Sequence, residues 1–204
     1  MVYAGHKCKV RVSGSPLTLT DEATSTADDL TFQITDAAKR VLDPTADITV
    51  NVDGVAADPS TYKLNRLDGS VTFKTAQTGA TVTISGQYLP LSDVAEAHEF
   101  SYALEANNED VSTFQSDYVK KEQTTKDFTA ELAAWHDVNV DVFVEAIRGG
   151  RIMVLEFYVN GVLDIRAWCL AASDEIESSA DGLVEESIEF EGTTDKEERM
   201  IHIG

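Results

Sequence analysis

Cysteine, proline and cationic side chains are all scarce in this sequence. Only two cysteines occur in 204 residues, Cys8 in the basic stretch "HKCKV" and Cys169 in the apolar stretch "RAWCLAA". That spacing fits no zinc or redox motif, and a chain of this length can bury a real core without a staple, so two free thiols are expected. The four histidines, His6, His98, His136 and His202, are scattered and form no H-E-x-x-H pattern or its inverse. No Walker loop, Rossmann glycine series or G-x-S-x-G elbow is present, and "IRGGR" reads as a helix stop rather than a phosphate cradle. The acidic stretch at 174–181 lacks the alternating ligands and central glycine of an EF-hand. Aromatic residues make up 8% of the chain, with Trp135 and Trp168 as the two tryptophans, which does not suggest a sugar-stacking cleft. No catalytic constellation emerges, so neither an enzyme nor a cofactor is expected.

Long apolar runs are missing too. The N-terminal "MVYAGHKCKVRVSG" has no apolar core of signal-peptide type, and "IMVLEFYV" is far too short to span a bilayer. Synthesis in a cytoplasm without membrane insertion is the expectation. Only 16 Lys and Arg stand against 36 Asp and Glu, a formal charge of −20. A uniform surface of that sign repels both duplex DNA and anionic membranes.

What is abundant is alternation at strand period, broken by turn residues. "KCKVRVSG" alternates and stops at Gly14, and "LTFQIT" resumes after a polar stretch, 15–30, that reads as a loop. Asp53-Gly54 and Asp68-Gly69 each look like the turn of a type I′ hairpin, so 44–90 reads as two hairpins in succession. In "HEFSYALEANN", Phe100, Tyr102 and Leu104 share one face, opposite Glu99 and Glu105. Residues 106–126 break the pattern and read as a long polar loop. "FTAELAAW" is assigned as a strand, with Phe128, Ala130, Leu132 and Ala134 facing inward. Val140, Phe143, Val144 and Ile147 recur at helical spacing, with Asp137 as N-cap, Arg148 in the last turn and Gly149-Gly150 as the stop. Two more strands meet at Asn160-Gly161. In "DGLVEESIEFEG", Val184, Ile188 and Phe190 oppose Glu185, Glu189 and Glu191.

The fold expected from these segments is mainly β: a sandwich or partial barrel of antiparallel strands flanked by one α-helix, with extended hairpins and loops. It is read as one domain over 1–192, with 44–90 as a hairpin-rich insertion and 193–204 as a C-terminal tail. Glu99, Glu105, Glu131, Glu156, Glu185 and Glu189 all fall on the outward side of predicted strands. Singly, each is an ordinary solvated strand residue. Together they imply a continuous acidic sheet face, suited to a channel wall that a polyanion passes without binding, because no phosphate is neutralised on it.

The layout resembles the major tail tube proteins of long-tailed, siphovirus-like bacteriophages. The motifs that carry the resemblance are "ANNEDVSTFQSDYVKKEQTTKDFTAELAAW" with its Thr113-Phe114 pair, a helix ending in Gly-Gly, the strand "MVLEFYVNG", and the closing "SADGLVEESIEFEG" with Phe190 and Gly192. They span most of 91–192, and the 44–90 segment departs from the simplest form of the pattern. The resemblance implies a virion structural protein, assembled in the host bacterial cytoplasm as hexameric rings that stack into a hollow tube. Its partners would be further copies of itself, a tape-measure protein, a tail terminator, and distal tail or baseplate proteins. Double-stranded DNA would pass through an acidic lumen without specific binding. Thr113, Phe114, Asp53, Gly54, Asp68 and Gly69 would then be candidates for contacts between subunits or rings. The loops 15–30 and 106–126 and the tail 193–204 would order at such contacts. The alternatives are a terminator or distal ring protein, a type VI secretion-like tube subunit, an acidic non-catalytic binding module, or a DNA mimic.

Overall fold

The computed structural model of the protein describes residues 8–94, 97–113, 118–136, 142–177 and 184–203. Strand β1 (Cys8–Ser13) buries Val10 and Val12 on one face and turns Lys9 and Arg11 to the other. The chain then leaves its first sheet for seven strands: β2 (Leu17–Thr26), β3 (Thr31–Ile34), β4 (Thr49–Val52), β5 (Val55–Ala56), β6 (Tyr62–Asn65), β7 (Ser70–Phe73) and β8 (Val82–Tyr88). These form a sheet of their own in the order β5-β4-β8-β2-β3-β7-β6, every neighbour antiparallel. It has its own core, centred on Phe32, Ile34, Leu42, Val50, Val71 and Ile84. Phe32 meets Phe73 edge to face, with ring centroids 5.8 Å apart.

This second sheet takes in the stretch expected to be a loop at 15–30. Strand β2 pairs with β8 and then β3, with a bulge between Leu19 and Glu22 where Asp21 takes a positive φ of 44°. Its sequence reads as polar because only Leu19 of the ten residues is buried. Ladder hydrogen bonds hold this strand more than burial does. The Asp53-Gly54 turn has the expected form, with φ of 50° and 79° and Val52 paired to Val55. Asp68-Gly69 does not: Asn65 pairs with Ser70, so the connection spans 66–69 and turns inward. Gly69 is buried there at φ 63°, and a Cβ would come within 2.5 Å of the Arg40 carbonyl oxygen.

The chain returns through β9 (Leu91–Asp93), then β10 (Ala97–Asp110) and β11 (Lys121–Trp135). The α-helix α1 (Val142–Gly149) follows, then β12 (Met153–Val159), β13 (Val162–Glu177), β14 (Glu185–Gly192) and β15 (Ile201–Ile203). With β1 they form an antiparallel sheet in the order β10-β11-β14-β13-β12-β1-β9, and β15 pairs with β13. Of the residues expected to be a loop at 106–126, 106–110 and 121–126 belong to paired strands instead, with Asp110 opposite Lys121. Residues 193–203 are folded against the sheet in the single chain.

The sheet curls into a half-barrel. Strands β10 and β12 are four places apart in the order, yet the Phe100 and Phe157 rings lie 4.7 Å apart, and the Tyr102 hydroxyl donates to Asp164 Oδ2 at 2.6 Å. The concave side holds the main core, including Phe128, Leu132, Leu155, Ile188 and Phe190. Helix α1 contributes Phe143 and Ala146 to that core, while Ile147 is exposed. Its end is a Schellman motif: Arg151 N–H donates to the Ala146 carbonyl, Gly150 N–H to that of Ile147, and Gly150 sits at φ 58°. Asp137, expected as N-cap, and Val140 lie outside the described residues.

The second sheet rests on the convex side of β1, β12 and β13. Val41, Leu67 and Leu89 pack there on Val154 and Trp168. Beside this seam runs a row of alternating charge, Asp93–Arg11–Glu156–Arg166, each residue the cross-strand neighbour of the next.

Candidate functional site

The other half of the convex side is open, and it carries carboxylates. Cross-strand neighbours share a face. The register Ser101–Glu131–Glu189–Ser173 therefore places two glutamates side by side in the middle of β10, β11, β14 and β13. On the flanking rows, Glu105 is opposite Asp127, and Glu191 lies between Thr129 and Leu170. Toward the far end, Glu175 is opposite Ser187, and Glu185 lies between Trp135 and Glu177. Glu99, opposite Ala133, completes the patch. No lysine or arginine shares this face at the paired positions of these four strands.

Five of the six glutamates singled out in the sequence thus belong to one surface. Glu99, Glu105, Glu131 and Glu189 are exposed. Glu185 is half-buried, and its carboxylate pairs with His98 Nε2 at 3.2 Å, the His98 ring lying 4.4 Å from that of Trp135. Glu189 Oε2 accepts from the Ser173 hydroxyl at 3.0 Å. Its strand neighbour Glu186 points to the core side, nearly buried, against His136 Nδ1 at 2.9 Å. Val184, expected on the inward face with Ile188 and Phe190, is exposed at the start of the strand.

Glu156 is the correction. It has no solvent-accessible surface, because the second sheet covers its part of the convex side. Arg166 Nε donates to its Oε1 at 2.5 Å, Arg11 Nη1 to its Oε2 at 3.2 Å, and the Tyr158 hydroxyl to Oε2 at 3.1 Å. Arg166 also donates to the Leu67 carbonyl of the second sheet. Glu156 is a structural ion at the seam between the sheets.

Asp127, Glu175 and Glu177 join the acidic surface without having been singled out in the sequence. Asp127 directly precedes the strand assigned at 128–135, and the other two lie in the acidic stretch at 174–181. The signal was present in the parity of Asp127, Thr129 and Glu131 and of Glu175 and Glu177.

A second feature of this sheet is the ribbon that leaves it. Pairing of β11 with β14 starts at Thr129, so beyond that point β10 and β11 hold only each other. Residues 121–127 are all exposed, as is Leu104 at 45%. A lone two-stranded ribbon has marginal stability in water, so this arm is a free surface that gains from a partner. At its end the Ser112 hydroxyl and amide beside Asp110 hold that carboxyl below its usual range. Thr113 is exposed there, and Phe114 lies outside the described residues. Asp53 and Gly54 sit at the exposed tip of the β4–β5 hairpin, where Asp53 Oδ1 accepts from Thr81 N–H at 2.8 Å. Asp68 and Gly69 face the chain's own interior: Asp68 Oδ1 accepts from the Ser70 hydroxyl at 2.6 Å, and Gly69 rests on Arg40.

Titration chemistry is sparse. Hydrogen bonding to Asp164, with burial, pushes the Tyr102 hydroxyl up to about 12. Burial alone pushes the Cys169 thiol far up, whereas Cys8 is exposed, and both are free. No group of three or more His, Cys, Asp or Glu among the described residues is placed to hold a metal ion. No helix among them is long and apolar enough to cross a membrane.

No protein-family model matches the chain, and no curated protein does. Several solved chains show similarity. One is a chain of the virion of a native gene transfer agent particle, at a TM-score of 0.47 and 9% identity, covering 56% of this chain and 88% of that one. Another is a chain of the tail of an empty gene transfer agent particle with C6 symmetry, at a TM-score of 0.45 and 10% identity, covering 56% and 87%.

Proposed function

We propose that the protein is a non-catalytic structural subunit of a viral tail tube, assembling with copies of itself into stacked rings, and that its acidic sheet face lines the lumen. The observation that carries this reading is the open half of the convex face, without lysine or arginine at the positions paired among β10, β11, β14 and β13, with Glu131 directly opposite Glu189. Like charges set against each other cost stability in a single chain. A wall that must not bind a passing polyanion gains from them, since affinity for phosphates comes from cations that release condensed counterions.

The projecting ribbon and the unpaired outer edge of β10 supply the means of assembly. An open edge of this length is a hazard in a monomer and is removed when a ring closes. Six copies per ring, double-stranded DNA as the cargo, and tape-measure, terminator and baseplate proteins as neighbours complete the proposal. The site of action is then the virion.

Negative-stain electron microscopy of concentrated protein, incubated for days, tests it. Stacked rings with a central hole are expected. A protein that stays monomeric under all seeding conditions contradicts the proposal, and rings that never stack point to a terminator or distal ring component.

A further inference from the structure

In a chain of charge −20, one large concavity is lined by more cations than anions. It lies where the second sheet meets the C-terminal segment, has a volume of about 710 Å³, and presents Lys63, Arg66 and Arg199 against Asp47 and Glu197. Arg66 is nearly buried and its charge is committed within the chain. It donates to both Glu197 oxygens, at 2.5 and 3.2 Å, and to the carbonyls of Asp43 and Ala46. Lys196 is likewise taken by Asp47 at 2.7 Å. Lys63 and Arg199 are different. Neither side chain has an ion pair or hydrogen bond among the described residues. The rest of the lining is apolar: Ile48, Pro59, Tyr62 and Leu64.

The opposite chemistry sits at the far end of the other sheet. Strand β13 ends in Glu175-Ile176-Glu177, all exposed, with Ile176 at 50%. Arg199 is fixed beside the middle of β13, since the next residue, Met200, accepts from Trp168 N–H at 2.9 Å. From Trp168 to Glu177 is about 30 Å of extended strand. One chain therefore carries an unpaired cationic cleft beside the middle of β13 and an exposed acidic strand end about 30 Å away. Such a pair cannot meet within a chain; between copies it makes a head-to-tail contact, which grows a stack where its rotation does not close a ring.

We infer that the Lys63–Tyr62–Arg199 cleft is the docking site for the Glu175-Ile176-Glu177 strand end of a second copy in the next ring. The inference rests on the tube reading and names the contact that stacks it. Lys63 and Arg199 take the two carboxylates, which project from one face of β13, while Ile176 projects from the opposite face beside Glu186 and takes no part in the ion pairs. Complementary charge fixes the direction of stacking and speeds the encounter, and it weakens as salt is raised.

The test compares four forms of the full chain: the unaltered protein, Lys63→Glu with Arg199→Glu, Glu175→Lys with Glu177→Lys, and all four changes together. Circular dichroism and thermal unfolding confirm folding, mass photometry counts copies per ring, and electron microscopy measures stack length. Either pair alone is expected to give intact rings and to raise the concentration needed for stacking by about tenfold or more. The combined form, with the charges exchanged, is expected to stack again. Stacks of unaltered length from Lys63→Glu with Arg199→Glu overturn the inference while leaving the tube standing. A block by both pairs without recovery in the combined form overturns the assignment of the two surfaces to each other. Failure of the unaltered protein to form rings at all counts against the tube itself and removes this contact with it.

Discussion

Glu131 and Glu189 stand directly opposite each other across β11 and β14, flanked by Ser101 and Ser173 on the outer strands of the same row. Cβ atoms in such a pair are about 5 Å apart, and like charges there are destabilising by up to about 1 kcal/mol. No lysine or arginine occupies this face at the positions paired among β10, β11, β14 and β13.

Replacing Glu189 with Gln is therefore expected to stabilise the isolated chain by a few tenths of a kcal/mol, about 0.2–1, at low ionic strength. Urea unfolding at two salt concentrations checks it. The gain shrinks as salt screens the pair. A loss of stability would mean that Ser173, which donates to Glu189 at 3.0 Å, contributes more than the repulsion takes away.

Glu156 predicts the opposite sign. It is fully buried between Arg11 and Arg166, and Glu156→Gln leaves two arginines without their carboxylate. The expected loss is about 3 kcal/mol or more, because removing one partner of a buried ion pair exposes the whole desolvation cost of the other. Chemical denaturation measures it. An effect below about 1 kcal/mol would show that the seam between the sheets admits water.

These two glutamates also mark the boundary of what was legible. Each lies at an outward parity in an apolar strand, and parity is written in the chain. What covers a face is not. Arg11 lies 145 residues before Glu156, and the sheet that seals the site is built from strands between them. Where an element buries its own periodic face, as β11 does with Phe128 to Ala134 and α1 with Phe143, the pattern identified it. Strand β2 was read as loop because nine of its ten residues stay unburied. The ribbon at 106–126 was read as loop for the same reason: neither of its faces is packed.

Tyr102 ties the free β10 edge to β13 through Asp164. Its hydroxyl is raised above the ordinary value of 10.0 to about 12, chiefly by that hydrogen bond. A raised value means the contribution is complete below the unfolded value and is lost as pH climbs through the folded one. The stability difference between the unaltered chain and Tyr102→Phe should hold constant up to pH 10 and fall away between 10 and about 12. Thermal melts across that window test it. A difference that does not change would mean that packing of the ring, not the hydrogen bond, is what the substitution removes.

The ribbon tests assembly separately from folding. Joining Ala106 to Lys126 by a short glycine-containing turn removes the parts of β10 and β11 that pair only with each other, together with the segment that connects them. The shortened chain is expected to unfold at a midpoint within a few degrees of the full one, about 2–4 °C for a domain of this size. It is expected not to form tubes. Tubes of normal length from the shortened chain would place the subunit contacts elsewhere.

The most direct test of the central claim is the accessibility of position 189 in the assembled state. In a Cys8→Ser background, which leaves only the buried Cys169 thiol, Glu189→Cys is labelled in assembled tubes with a small maleimide and with a maleimide on a bulky polymer. If the acidic face lines the lumen, the small reagent reacts, the polymer does not, and both react with the free chain. Equal labelling of the tube by both reagents would put Glu131 and Glu189 on the outside and contradict the account.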